Sequence, residues 1–269
     1  MNNLFFSIAI PFYFKNEYSI KQLKRCINSI RIQTFKNYEI VISAQNHYQE
    51  LINNVFFEGI KILNAETENF IQGNVNNAIK ACKGKWIKII FSDDYFSGNS
   101  SLEKIFNALS NNKEKWAITN SLHFNKNISQ IHNPIFAFYN RYILEINSIG
   151  SPSAVVIENK KPLLFDQKTW MRLDVDYYHA LFKKYGSPLH INNVYMINEI
   201  HNYQFSNLMI NKTKKTNLLL EKELKYLCKK HNYKKLSPII LFLLKFTLKL
   251  KRIIDQLIFR IKITKTSFY

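Results

Sequence analysis

The chain has 269 residues, 46% of them hydrophobic and 14% aromatic, which is enough apolar surface for one α/β core and excludes a wholly disordered chain. Its three cysteines, Cys26, Cys82 and Cys228, lie far apart with no CxxC spacing, which excludes a disulfide-framed secreted domain and favours a reducing compartment. The net charge of +19 is concentrated: residues 209–269 carry 16 Lys+Arg against Glu221, Glu223 and Asp255, so the polyanion it implies, anionic lipid or nucleic acid, is a partner of the tail.

In chain order, MNNLFFSIAIPFYF has no basic leader and meets a proline soon after its short apolar run, so it reads as a strand over residues 5–11 and not as an export signal. Residues 19–32 follow as a helix with Leu23, Cys26, Ile27 and Ile30 on one face and Ser19 as N-cap. Residues 38–43 and 60–63 are strands, 75–82 a helix that Gly84 ends, and 86–91 a fourth strand that runs into Ser92-Asp93-Asp94. That βαβαβαβ order is Rossmann-like. Ligands gather beyond the carboxyl ends of such strands, so residues 11–17, 43–46 and 92–94 are expected on one rim. There is no internal repeat and no Pro/Gly/Ser-rich linker; composition changes near residue 207.

Adjacent acids just past an apolar strand repel each other and gain nothing from packing. Asp93-Asp94 therefore points to a divalent cation or a hydroxyl-rich ligand, and Mg2+ or Mn2+ suits such oxygen donors and bridges a diphosphate. Taken alone, the pair leaves open a solvated turn in which Asp94 caps the next helix.

Read together and in order, SIAIPFYFKNE (7–17), LKRCINSIRIQTFKNYEIVIS (23–43), GNVNNAIKACKGKWIKIIFSDD (73–94), NSIGSPSAVV (147–156), FDQKTWMRLDVDYYHALFKKYG (165–186) and IHNYQFS (200–206) resemble family 2 glycosyltransferases. The resemblance implies an α/β, GT-A type, inverting enzyme. Its Rossmann-like nucleotide-binding half spans 1–99, merged with an acceptor-binding half over 100–206 and followed by a basic, amphipathic helical tail over 207–269. It implies a nucleotide-sugar donor, a UDP-sugar by preference, with Mn2+ or Mg2+. A saccharide or lipid-linked acceptor in cell-surface polysaccharide or lipopolysaccharide assembly completes the expectation.

Carried over residue by residue, Pro11, Tyr13 and Glu17 line the nucleoside pocket, Asp93 faces ribose and diphosphate, and Asp94 binds the metal. Asn74 and Asn77 donate to sugar or ribose hydroxyls, with helix capping as the alternative for either. Asp174 falls at the family's base position and Asp176 is the runner-up; about 200° apart on a helix, they cannot share one site. Without the resemblance, either reads as a helix cap. The polar loop 147–153 suits an acceptor through Ser151 and Ser153, or is a plain turn. Trp170 stacks on a sugar or packs. His201 lies where some relatives place a histidine near diphosphate and metal, or is an ordinary surface or core histidine. One departure stands out: many members end the second strand in an aspartate that reads the base, and this chain has Ser43-Ala44-Gln45, which leaves the amide of Gln45 or Asn46 to do so. Phe91 stands where a further aspartate is usual.

Over residues 239–263, Leu243, Phe246, Leu250, Ile253, Ile254, Leu257, Ile258 and Ile261 follow helical spacing, with Lys245, Lys249, Arg252 and Gln256 opposite. The apolar run meets Lys245 too soon to span a bilayer. An in-plane helix on an anionic membrane fits, which implies a cytoplasmic protein peripheral on the inner face of the cytoplasmic membrane; a helix packed on its own core is the alternative. A nucleotidyltransferase would bring a Gly-rich loop after the first strand, and PFYFKNE has none. No nucleic-acid reader motif is present, so nucleic acid is not an expected partner. The altered base-reading position leaves a catalytically degenerate, membrane-associated nucleotide-binding protein as a further alternative.

Overall fold

In the computed structural model, residues 4–65, 70–125, 130–200 and 214–266 are described. Strand β1, Phe6–Tyr13, is buried along all but its last residue, because FSIAIPF offers apolar groups to both faces, the pattern of a strand covered on both sides. It pairs in parallel with β2, Tyr38–Gln45, and with β4, Trp86–Ile89, while β2 pairs with β3, Lys61–Ala65. Beyond β4 the sheet turns mixed. Strand β8, Val155–Glu158, runs antiparallel to β4, and β6, Trp116–Asn125, antiparallel to β8. Strand β9, Leu189–Ile200, lies parallel to β6, and β5, Asp94–Phe96, antiparallel to β9; β7, Gln130–Ile135, takes the remaining edge of β6. The order across the sheet is β3-β2-β1-β4-β8-β6-β9-β5.

Helices cover both faces. Helix α1, Glu17–Arg31, and α4, Ser101–Ser110, pack Leu23, Ile27, Ile30, Leu102 and Ile105 on Phe6, Ile8 and Ile10. Helix α3, Ile71–Ala81, and α5, Leu173–Tyr185, bury Val75, Ile79, Val175 and Tyr178 against Ala9, Val41 and Ile87 on the other side. A short α2, Tyr48–Ile52, follows β2. All three cysteines are free thiols, and burial pushes that of Cys82 up to about 12, so it stays protonated and unreactive.

Three local expectations are corrected. Helix α1 begins at Glu17 with Asn16 as its N-cap; Ser19 is the third residue of a capping box, in which the Asn16 side chain accepts from Ser19 N and Ser19 Oγ closes back on the Asn16 amide. Helix α3 begins at Ile71, so Asn74 is inside it and caps nothing. Gly84 is required by close approach: a Cβ there would lie 2.5 Å from the Phe6 carbonyl carbon.

Two helices complete the chain. Helix α6, Lys214–His231, buries Leu224 and Leu227. Helix α7, Pro238–Thr266, turns the half-buried Leu241, Leu244, Leu248 and Phe259 to the body; the Phe259 ring lies 6.3 Å from Phe136 and 5.8 Å from Tyr195. At about 100° per residue, Ile239, Leu243, Phe246, Leu250, Ile253 and Leu257 fall on the opposite side, and all are exposed. Among the described residues no helix is long and apolar enough to cross a membrane.

Candidate active site

The parallel strands end in register: Pro11 sits opposite Ser43 and Tyr13 opposite Gln45. Pro11 is buried, Tyr13 is exposed at the tip of β1, and Glu17 is exposed at the start of α1. The carbonyl of Gln45 accepts from the amide of Phe14 at 3.1 Å. Asn46 and His47 then adopt left-handed backbone, φ 58 and 72, which lays the His47 ring on Phe14 at 3.9 Å. Helix α3 is tied to this rim by two amides. Asn77 Nδ2 donates to Ser43 Oγ at 3.0 Å, and Asn74 Nδ2 to the Phe12 carbonyl at 2.9 Å. Asn74 Oδ1 is buried without a partner among the described residues, an unmet acceptor beside the rim.

Past β4 the chain turns through Asp93 and enters β5 at Asp94. Asp94 is buried, and its Oδ2 accepts from Ser151 Oγ at 2.9 Å. Burial, and then the neighbouring Asp93, holds its carboxyl up to about 7 against the hydroxyls of Ser153 and Ser151. Asp93 is half-buried. Its carbonyl accepts from Arg25 Nη2 at 2.9 Å, and the Arg25 guanidinium lies 4.3 Å over the Tyr95 ring. Arg25 also pairs with the buried Glu199, which accepts from the Tyr18 hydroxyl. Beneath the turn, the fully buried Lys88 donates to the Ser153 carbonyl, and burial pushes its ammonium down to about 7. Ser153 Oγ accepts from the Phe91 amide at 2.8 Å. From the 147–153 loop, Ser151 and Ser153 thus brace the acidic turn.

Asp174 and Asp176 part company as the helical spacing requires. Asp176 is buried and accepts from Lys230 at 2.8 Å, with His231 Nε2 at 2.7 Å. Asp174, half-buried in the first turn of α5, accepts from Asn147 Nδ2 at 2.6 Å. Burial pushes its carboxyl up to about 6, against the pull of backbone N–H groups, Arg172 and Asn147. Asn147 Oδ1 accepts from the amides of Ile149 and Gly150, the latter at φ +100, and Nδ2 also reaches the Gly150 carbonyl. One short loop therefore holds Asp174 at its start and Asp94, through Ser151, at its end. Trp170 lies just before α5 with its ring 6.4 Å from Phe70. His201 lies outside the described residues.

Among the described residues no group of three or more His, Cys, Asp or Glu is placed to hold a metal ion. Asp93 and Asp94 are nonetheless hard oxygen donors of the kind that bind Mg2+ or Mn2+ through one or two carboxylates, with diphosphate oxygens and water as the other ligands; the turn fits that use. Sequence reasoning missed Arg25, Lys88, Glu199 and the anchoring role of Asn147. Lys88 alone had a local signal, a single charge within the apolar strand WIKI; the others acquire meaning only from distant partners.

The description "Glycosyl transferase family 2" matches residues 7–173, a segment that ends one residue before Asp174. No curated protein matches the chain in sequence. Solved structures do match in fold. S. aureus TarS 1-349 in complex with UDP has a TM-score of 0.55 at 16% identity over 80% of this chain and 69% of that one. S. aureus TarS has a TM-score of 0.56 at 14% identity over 80% of this chain, and this chain spans 42% of it. For S. aureus TarS 1-349 in complex with UDP-GlcNAc the values are 0.54 and 14%, over 74% of this chain and 60% of that one. The likeness shows the fold: a GT-A type, Rossmann-like sheet merged with a second half and followed by a helical C-terminal region. Because the family match takes in more than half of the chain, the protein belongs to glycosyl transferase family 2.

Proposed function

We propose that the protein transfers a sugar, with inversion, from a nucleoside diphosphate donor to a hydroxyl of a saccharide or lipid-linked acceptor in cell-surface polysaccharide or lipopolysaccharide assembly. A UDP-sugar is the first choice, since the S. aureus TarS structures similar in fold are described with UDP and with UDP-GlcNAc. The observation that carries the reading is the loop 147–153, which ties a raised-pKa carboxylate to the acidic turn at the carboxyl rim of the sheet.

In that reading Pro11, Tyr13, Glu17 and Gln45 surround the nucleoside, while Asn74 and Asn77 face donor hydroxyls from α3. Asp93 and Asp94, with His201, would hold a divalent cation, whose chemistry is to stabilise charge on the departing diphosphate. Arg25 and Glu199 keep the turn rigid, so the donor is oriented before chemistry. Asp174 accepts the proton of the acceptor hydroxyl as its oxygen bonds to the anomeric carbon; the bond from that carbon to the diphosphate breaks, and the nucleoside diphosphate leaves with the electron pair. Trp170 and Phe70 form the aromatic wall at the acceptor side. Ser151 and Ser153 act from beneath by bracing the turn.

Helix α7 extends the proposal to place. Its exposed apolar stripe points away from the body, and Lys245 and Lys249 lie between that stripe and the docked face. This is the layout of an in-plane helix on an anionic membrane, with lysine stems reaching headgroups. That layout supports the part of the proposal that places the protein on the cytoplasmic face of the cytoplasmic membrane, within reach of a lipid-linked acceptor.

Calorimetry of the full chain with UDP, GDP, dTDP and UDP-GlcNAc, with and without Mn2+, tests the donor reading. UDP should bind in a Mn2+-dependent way and lose about tenfold or more in Asp93→Asn, roughly the value of one charge-assisted contact. Failure of every nucleotide to bind would leave a catalytically degenerate, membrane-associated protein.

A further inference from the structure

The carboxylate of Glu223, on α6, collects three consecutive backbone amides. Oε1 accepts from Trp170 N at 3.0 Å and Met171 N at 3.1 Å, and Oε2 accepts from Met171 N and Arg172 N at 3.0 Å. These amides belong to the turn that leads into α5, whose second residue is Asp174. Helix α5 has no cap of its own: Arg172 stands at the N-cap position and its side chain makes no capping bond. The Arg172 side chain instead reaches Leu144 O at 2.9 Å and Leu220 O at 3.4 Å, which joins the turn to α6 a second time. An anionic acceptor at a helix start satisfies amides that the helix cannot and opposes the positive end of its dipole.

A carboxylate gathered by three amides is a stiff anchor, since moving it breaks several charge-assisted bonds at once. The anchor is supplied 51 residues downstream of Arg172, from a helix that the family match, ending at residue 173, does not include. Leu224 and Leu227, buried beside Glu223, fix the helix that carries it. On its other side Asp174 is held by Asn147, so the loop sets one flank of the carboxylate and α6 the other.

We propose that Glu223 is a positioning residue for Asp174: by holding the amides of residues 170–172 from outside the family segment, α6 sets where the base of the proposed transfer stands and keeps water from it. The inference rests on the assignment of Asp174 as that base, and its test keeps the two apart.

Full-length wild type, Glu223→Gln, Glu223→Ala and Asp174→Asn are compared by carbon-13 NMR titration of aspartate carboxyls, with the Asp174 signal assigned by its loss in Asp174→Asn. UDP release from UDP-GlcNAc and UDP binding by calorimetry are read in parallel. In Glu223→Ala the Asp174 titration point falls by about one unit as the turn loosens and water enters, UDP release drops about tenfold or more, and UDP binding stays within about threefold. Glu223→Gln, which keeps one acceptor oxygen, lies between the two. An unchanged Asp174 titration and unchanged UDP release in folded Glu223→Ala overturn the proposal; if that variant does not fold, Glu223→Gln decides on the same readings. Turnover by Asp174→Asn at the wild-type rate sinks the base assignment instead, while the NMR shift still reports whether Glu223 positions the carboxyl. If wild type releases no UDP from UDP-GlcNAc, the titration alone decides.

Discussion

Asp174 sits in the first turn of a helix, where the dipole favours its ionised form, yet burial is the larger effect and lifts its carboxyl to about 6. The proposed base works only when deprotonated, so the sign follows directly: kcat/KM should rise with pH up to about 6 and level off above it, falling about tenfold per unit on the acid side. Asp174→Asn should remove that limb and lower kcat by about 10²- to 10⁴-fold, with UDP binding unchanged. A pH–rate profile of both forms checks it, and an acid limb that persists in the variant would assign it to another group. The choice between Asp174 and Asp176 shows how far sequence reasoning reached. Helical spacing established that only one of the two can face a site. In the structure Lys230 and His231 occupy Asp176 from α6, which leaves Asp174 as the proposed base.

At the scale of elements, the parallel half was legible because each piece carries its own period: β1 and β2 are apolar on both faces, and α1 keeps one apolar stripe. Boundaries were less so. Tyr13 and Gln45 extend their strands by pairing with each other, a stabilisation that neither segment contains alone. Strand β9, LHINNVYMINEI, escaped because its polar residues break alternation and its register with β6 shifts between Thr119 and Asn120. Gly84 looked like a helix end and proved to be a contact between backbones. Gly84→Ala should therefore shift β1 against β4 and cost about 1–3 kcal/mol, as overpacking does. A denaturant melt gives the answer; a midpoint equal to wild type would mean that the backbone there yields freely.

For the whole molecule, the tail divides by packing. Helix α6 is bonded to the body through Glu223, Tyr226, Lys230 and His231, so some of the charge that marks the tail is engaged within the protein. Helix α7 offers its outer stripe. Replacing Leu243, Phe246 and Leu250 together by serine should weaken co-sedimentation with phosphatidylglycerol vesicles by about a hundredfold or more, since each buried side chain of that size contributes roughly 1.5–3 kcal/mol. Equal sedimentation of the two proteins would rule out the stripe as the membrane contact. The sequence by itself determined the Rossmann-like half, the acidic turn at its rim and the family, because these are written in local periodicity and in contiguous motifs. Only the tertiary structure decided which carboxylate faces the loop, what holds Asp94 and Asp174 to one another, and that Glu199 serves Tyr18 across 181 residues. Those outcomes depend on burial and on partners far apart in the chain, and a local pattern records neither.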